Sequence, residues 1–293
     1  MPFPRLFTAM ITPYKENLEV NYEAAARLAE HLSENGSDGI VVCGTTGEAP
    51  VLSMDEKLEL FSVVQKKVGH KVEVWAGTGT NNTDLTIELS KKAQECGVKG
   101  LLLVTPYYNK PSQNGLYEHY KKIADSLSLP IMLYNVPGRT SCNLQPQTVK
   151  RLSAIENIAA VKEASGDMDQ VSLLASLLPE RIAIYSGDDS MTLPMLAIGA
   201  QGVVSVVSHL AGPDILKMMK CFFAGDVKEA RNLHNKLFPL FKGLFITSNP
   251  IPVKEAMNML GYEFGGFRLP LYPATEEEKS QIRKNLRDYG LLK

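Results

Sequence analysis

Along this chain, short and mostly apolar runs alternate with longer segments whose apolar residues recur every three or four positions. Eight runs stand out: Phe7–Thr12, Gly39–Gly44, Val72–Gly77, Gly100–Thr105, Ile131–Asn135, Ile158–Glu163, Ile182–Ser186 and Gly202–Val207. A run with no polar face predicts a strand buried on both sides, as in a parallel sheet covered by helices. The segments between them carry helical spacing. In Tyr22–Leu32 the apolar residues Ala25, Leu28, Ala29 and Leu32 share one face, and Asp55–Val68 repeats the pattern behind a Ser53/Asp55 start signal. Thr83–Cys96 ends at Gly97, a C-terminal stop. Strands alternating with helices imply right-handed βαβ units. Eight units within about 200 residues match a closed (β/α)8 TIM barrel better than an open doubly wound sheet, which has fewer strands and a phosphate-gripping first turn.

After Ser208 the strand signals stop. Pro213–Phe223, Val227–Phe241, Pro252–Leu260 and Glu276–Arg287 read as helices, so the chain divides into a catalytic barrel over 1–224 and a C-terminal helical extension over 225–293. Composition narrows the class. With 293 residues, 44% of them hydrophobic and 22% charged, the chain has enough apolar material for a sizeable core. Lys plus Arg number 31 against 32 for Asp plus Glu, a net charge of −1 that gives no pull toward nucleic acid or a membrane surface. The N-terminal stretch Met1–Arg5 lacks the pattern of a secretion signal, and no apolar run approaches the roughly 20 residues needed to span a bilayer. Cys43, Cys96, Cys142 and Cys221 are scattered without a CxxC pair, as expected of reduced thiols in a cytoplasmic protein.

Several familiar motifs are absent. Gly77-Thr-Gly79 opens like a dinucleotide fingerprint, but Asn82 stands at the third glycine and the segment follows the third strand. There is no P-loop, HExxH or GxSxG, and the five histidines are widely spaced. In a barrel, chemistry belongs at the carboxyl ends of the strands. The second strand ends in Gly44-Thr45-Thr46-Gly47-Glu48, two hydroxyls able to donate to a carboxylate; an ordinary βα turn would look the same. The fourth runs into Tyr107 and Tyr108, whose hydroxyls need partners. The fifth ends at Tyr134 and continues into a Pro-Gly loop carrying Arg139, suited to bidentate capture of a second carboxylate. Lys162 ends the sixth, placed like Tyr134 on its neighbour, and Gly187 follows the seventh. A strand-end lysine most often snorkels to water, so Lys162 alone decides nothing.

Lysine, tyrosine and paired hydroxyls together point to imine chemistry. A lysine amine attacks a ketone to give a Schiff base, which then serves as an electron sink. An ordinary lysine, with a pKa of about 10.4, is neutral in roughly one molecule per few thousand at pH 7, and burial near another positive charge raises that fraction. A neighbouring tyrosine moves the protons that carbinolamine formation and dehydration require.

These residues resemble the dihydrodipicolinate synthase family. The resemblance is carried by Gly44–Glu48, Tyr107–Asn109 with Pro111, Tyr134–Pro137 with Arg139 and Thr140, Val161–Glu163, Ser186–Asp188 and Asn249–Lys254, in order along nearly the whole chain. It implies a class I aldolase-type barrel, without a cofactor, that condenses pyruvate with L-aspartate-4-semialdehyde on the route to diaminopimelate and lysine. Position by position, it makes Lys162 the Schiff-base residue and Tyr134 its proton donor and acceptor, with Thr45 and Tyr108 completing a relay. Thr46 and Val204 match pyruvate-binding positions, and Arg139 the grip on the semialdehyde carboxylate. The family is usually a homotetramer, a dimer of dimers, in which a tyrosine of this loop comes from the neighbouring subunit; Tyr107 is expected to be that residue.

Two alternatives stay open. N-acetylneuraminate lyases and keto-sugar-acid aldolases share the lysine and tyrosine, but are expected to present a smaller or neutral group where this chain has Arg139. A non-catalytic metabolite-binding barrel would have no need for the lysine, the tyrosine and the threonines together. Lysine-inhibited members of the family use a histidine and a glutamate where this chain has Lys57 and Leu85, although Asn81 and Tyr107 match. An added cation and a lost carboxylate predict weak or absent feedback inhibition by L-lysine.

Overall fold

The computed structural model describes residues 4–293, so the first three residues of the Met1–Arg5 stretch lie outside the described residues. The strands are β1 Leu6–Ala9, β2 Gly39–Val42, β3 Glu73–Gly77, β4 Gly100–Val104, β5 Ile131–Asn135, β6 Ile158–Glu163, β7 Ala183–Ser186 and β8 Gly202–Ser205. They pair in sequence order, each parallel to the next, and β8 closes onto β1 through Val204 opposite Phe7. Around them run α1 Tyr22–Glu34, α2 Met54–Val68, α3 Thr83–Glu95, α4 Gln113–Ala124, α5 Pro137–Thr140, α6 Pro146–Leu152, α7 Met168–Leu177, α8 Thr192–Ile198 and α9 Ser208–Phe223. Three further helices follow: α10 Val227–Gly243, α11 Ile251–Met259 and α12 Glu276–Tyr289. The fold is the expected eight-stranded TIM barrel with helices beyond it. Among the described residues no helix is long and apolar enough to cross a membrane.

Local chemistry sets the element ends. Ser53 and Glu56 form a capping box on α2, Asn21 and Asn82 cap α1 and α3, and α3 stops before Gly97 at φ +80°. Four strands end earlier than the apolar runs predict, β4 by one residue at Val104. β1 stops at Ala9. β2 stops at Val42 because Cys43, at φ +56°, turns the chain out of the ladder. β8 stops at Ser205 because the amides of Val206 and Val207 donate to the Asp189 carboxylate, at 2.9 and 3.2 Å. The helix expected from Pro213 begins at Ser208, with a kink at Ala211.

Inside the barrel the side chains interlock by size. Phe7 meets Trp75 and Tyr185 edge-on, each with ring centroids 5.5 Å apart, and the Tyr185 hydroxyl donates to the Pro4 carbonyl at 2.6 Å. A Cβ on Gly39 would lie 2.3 Å from the Phe7 ring, so β2 crosses that ring only because residue 39 has no side chain. A second apolar layer separates strands from helices, as burial of both strand faces requires.

Candidate active site

Tyr134 and Lys162 face each other in the β5–β6 register. Both are buried, and the lysine Nζ lies 4.1 Å from the centroid of the tyrosine ring. The next residues along, Asn135 and Glu163, are also register partners and fix the strand ends. The buried Glu163 carboxylate accepts from Asn135 Nδ2 at 3.0 Å, Gln170 Nε2 at 3.0 Å and the Ser165 amide at 2.7 Å. Gly187 gives the lysine stem its room: a Cβ there would sit 3.1 Å from Lys162 Cε and 2.6 Å from Ala164 Cβ. Val204 is buried in the same interior cluster as Tyr134.

The turn after β2 is held from both ends. Cys43 and Glu48 each sit at φ +56°, bracketing Gly44–Gly47, and Thr12 Oγ1 donates to the Gly47 carbonyl at 2.6 Å. Glu48 pairs with Lys254 of α11 at 2.7 Å, both side chains 0% exposed. Lys254 Nζ also donates to the Gly266 carbonyl at 2.8 Å and stands 4.2 Å above the Tyr14 ring. Burial pulls the Lys254 ammonium down to about 8, against the opposing pull of Glu48. Thr46 is buried and takes a hydrogen bond from Asn249 Nδ2 at 2.9 Å. All four cysteines are free thiols, and burial pushes Cys43 up to about 12, an inert state at neutral pH.

A cavity of about 550 Å³ opens over this end of the barrel. Thr45, Tyr107, Tyr134 and Arg139 line it, together with Lys57, Asn81 and Leu85 toward its outer part. Lys162, Thr46, Val204 and Gly187 are not on that wall. Lys162 packs against Tyr134 with Gly187 beside its stem, and Thr46 is held by Asn249. Arg139 sits on the helical turn α5 rather than on an irregular loop, because Pro137 occupies a first-turn position that needs no amide donor. Its Nη2 donates to the Asn249 carbonyl at 3.4 Å.

The two loop tyrosines face different ways within the chain. Tyr107 lines this chain's own cavity, whereas Tyr108 is 89% exposed and outside it. The cause is backbone: Tyr108 adopts φ +73°, rare for a bulky residue, which turns adjacent side chains apart. Asn109 pins the turn by donating to the Asn81 carbonyl at 2.9 Å. Tyr108 therefore joins no relay with the Thr45 and Tyr134 of its own chain. Asn249, Lys254 and Glu48 carried no assigned role in the sequence; the only signal for them was their place within the resemblance. No group of three or more His, Cys, Asp or Glu side chains able to hold a metal occurs among the described residues.

Residues 2–289 match the Dihydrodipicolinate synthetase family. The chain belongs to that family. It is 56% identical over 291 residues to the 4-hydroxy-tetrahydrodipicolinate synthase of Heliobacterium modesticaldum, covering 99% of this chain and 97% of the relative. A dihydrodipicolinate synthase structure from Cyanidioschyzon merolae, with lysine bound, superposes with a TM-score of 0.98 at 45% identity and 99% coverage of both chains. The chloride-inhibited synthase of Acinetobacter baumannii, complexed with pyruvate, gives 0.96 at 40% identity, again with 99% coverage of each. As a member of this family the chain is a lyase of the class I aldolase type.

Proposed function

We propose that this family member condenses pyruvate with L-aspartate-4-semialdehyde to 4-hydroxy-tetrahydrodipicolinate through a Schiff base on Lys162. One observation carries the reading: a buried lysine ammonium lies against a buried tyrosine ring, on adjacent strands, at the mouth of the barrel. Neutral Lys162 attacks the ketone carbon of pyruvate, water leaves, and the imine draws a proton from the methyl carbon to give an enamine. The enamine carbon attacks the aldehyde, whose oxygen takes up a proton. The substrate's own amine then displaces the lysine and closes the ring. Tyr134 carries these protons with Thr45. We assign the remaining relay position to Tyr108 of a neighbouring subunit in a homotetramer, since its outward placement leaves it free to enter a second chain. Thr46, Val204 and Gly187 surround the pyruvate end, and Arg139 grips the semialdehyde carboxylate. No cofactor enters the scheme, and the enzyme works in the cytoplasm within lysine and diaminopimelate biosynthesis.

Borohydride reduction in the presence of pyruvate, followed by peptide mapping, is expected to leave a covalent adduct on Lys162. An adduct elsewhere, or none, sinks the mechanism. Parallel assays with aspartate semialdehyde and N-acetylneuraminate separate a synthase from a sugar-acid lyase. The outer cavity wall supports weak lysine inhibition: Lys57 is a half-buried cation there and Leu85 an apolar side chain, where an incoming ammonium would want a carboxylate. Strong inhibition by sub-millimolar L-lysine would overturn that part.

A further inference from the structure

Thr46 has a hydroxyl whose side-chain partner comes from outside its own turn. Asn249 Nδ2 donates to Thr46 Oγ1 at 2.9 Å, and among the described residues Thr46 makes no other side-chain hydrogen bond. Asn249 is 6% exposed, and its Oδ1 is buried without a partner. The asparagine cannot drift: its carbonyl accepts from Arg139, and five residues on, Lys254 is locked to Glu48.

A threonine hydroxyl has one hydrogen and two lone pairs. While the amide nitrogen donates into the oxygen, that one hydrogen is left for a ligand, and a carboxylate oxygen is the acceptor it suits. With the amide reversed, the hydrogen would turn into Oδ1 and Thr46 would offer a ligand only lone pairs, which repel an anion. Either arrangement leaves one amide atom unpartnered inside the protein, so internal satisfaction does not choose between them. A bound anion does.

We propose that Asn249 is a positioning residue that keeps the Thr46 hydroxyl as a donor toward the carboxylate of the 2-oxo acid. This rests on the reading of pyruvate as the first substrate. The test measures the pyruvate concentration that half-saturates borohydride trapping, without aldehyde, in wild type, Asn249→Ala, Asn249→Asp, Thr46→Val and the two double variants. Losing an oriented hydrogen bond to a charged group should raise half-saturation roughly ten-fold in Asn249→Ala, with maximal trapping unchanged. Asn249→Asp should be worse above the pKa of the new carboxyl and recover as acid returns its proton and the acid group donates to Thr46. Both Asn249 effects should largely vanish in the Thr46→Val background. If they persist there, Asn249 acts by charge or by packing and the proposal fails. Should Asn249→Asp not fold, Asn249→Ala and its double variant carry the same comparison. Absence of a trapped adduct in wild type instead refutes the functional reading itself, and the two failures are thereby distinct.

Discussion

Replacing Lys254 by methionine removes one half of an ion pair that has no contact with water. The Glu48 carboxylate would be left 0% exposed, its remaining hydrogen bond a long one from the Arg268 amide at 3.4 Å. Breaking a buried pair in this way costs about 3–5 kcal/mol, because the surviving charge loses its hydrogen-bonded counter-ion and has no solvent to replace it. For a chain of this size each kcal/mol moves the unfolding midpoint by roughly 2–4 °C, so the midpoint should fall by about 6–20 °C. Trp75 is the chain's single tryptophan and is fully buried inside the barrel, so its fluorescence reports the opening of the barrel directly. Glu48→Gln should be milder at pH 8, since Lys254, already pulled down to about 8 by burial, can shed its proton once the carboxylate is gone. The double variant should recover at least half of the loss from Lys254→Met, as neutral replacements for buried pairs generally do. A drop of less than about 3 °C for Lys254→Met, or a double variant as unstable as the sum of the singles, would refute this reasoning.

Two further outcomes follow from the geometry. Gly187→Ala puts a methyl 3.1 Å from Lys162 Cε and 2.6 Å from Ala164 Cβ, so adduct formation on Lys162 should slow by ten-fold or more, about 1–3 kcal/mol of overpacking; an unchanged trapping rate would show that the lysine stem needs no such space. His209 is buried, with Nε2 accepting from the Ile11 amide at 3.2 Å and Nδ1 donating to the Val206 carbonyl at 2.7 Å, a pattern only the neutral ring can make. Burial pulls it from 6.5 down to about 4, so the unfolded chain takes up the proton first as pH falls. Its stabilising contribution is full above pH 6.5 and is lost toward pH 4, on the order of 3 kcal/mol. Denaturant midpoints across that range should decline less steeply in His209→Gln than in wild type, and parallel curves would contradict the assignment.

The strands were legible because each is buried on both faces, which writes an unbroken apolar run into the sequence. The same logic placed Tyr134 and Lys162 on neighbouring strands at equal height, and the register pairs them. Strand ends were less legible. Nothing in Val41-Val42-Cys43 announces the left-handed turn at Cys43, and the early end of β8 depends on Asp189, a residue from another strand's loop. The short helix at Pro137 is hidden in the sequence because Pro-Gly is a turn signal as well as a helix start. The division of labour between Tyr107 and Tyr108 turned on one backbone angle that a tyrosine seldom adopts. The roles of Asn249 and Lys254 were out of reach for a plainer reason. Their partners, Thr46 and Glu48, lie more than 200 residues away, and no local pattern encodes a contact at that separation.

The interlocked rings of Phe7, Trp75 and Tyr185 fill the barrel interior, with Tyr185 bolted to the Pro4 carbonyl just ahead of β1. With the interior filled, the open space beside Tyr134 is the cavity whose wall carries Arg139. On the proposed Schiff-base chemistry, the molecule that bonds to Lys162 is expected to arrive before the one that lodges at the rim beside Arg139.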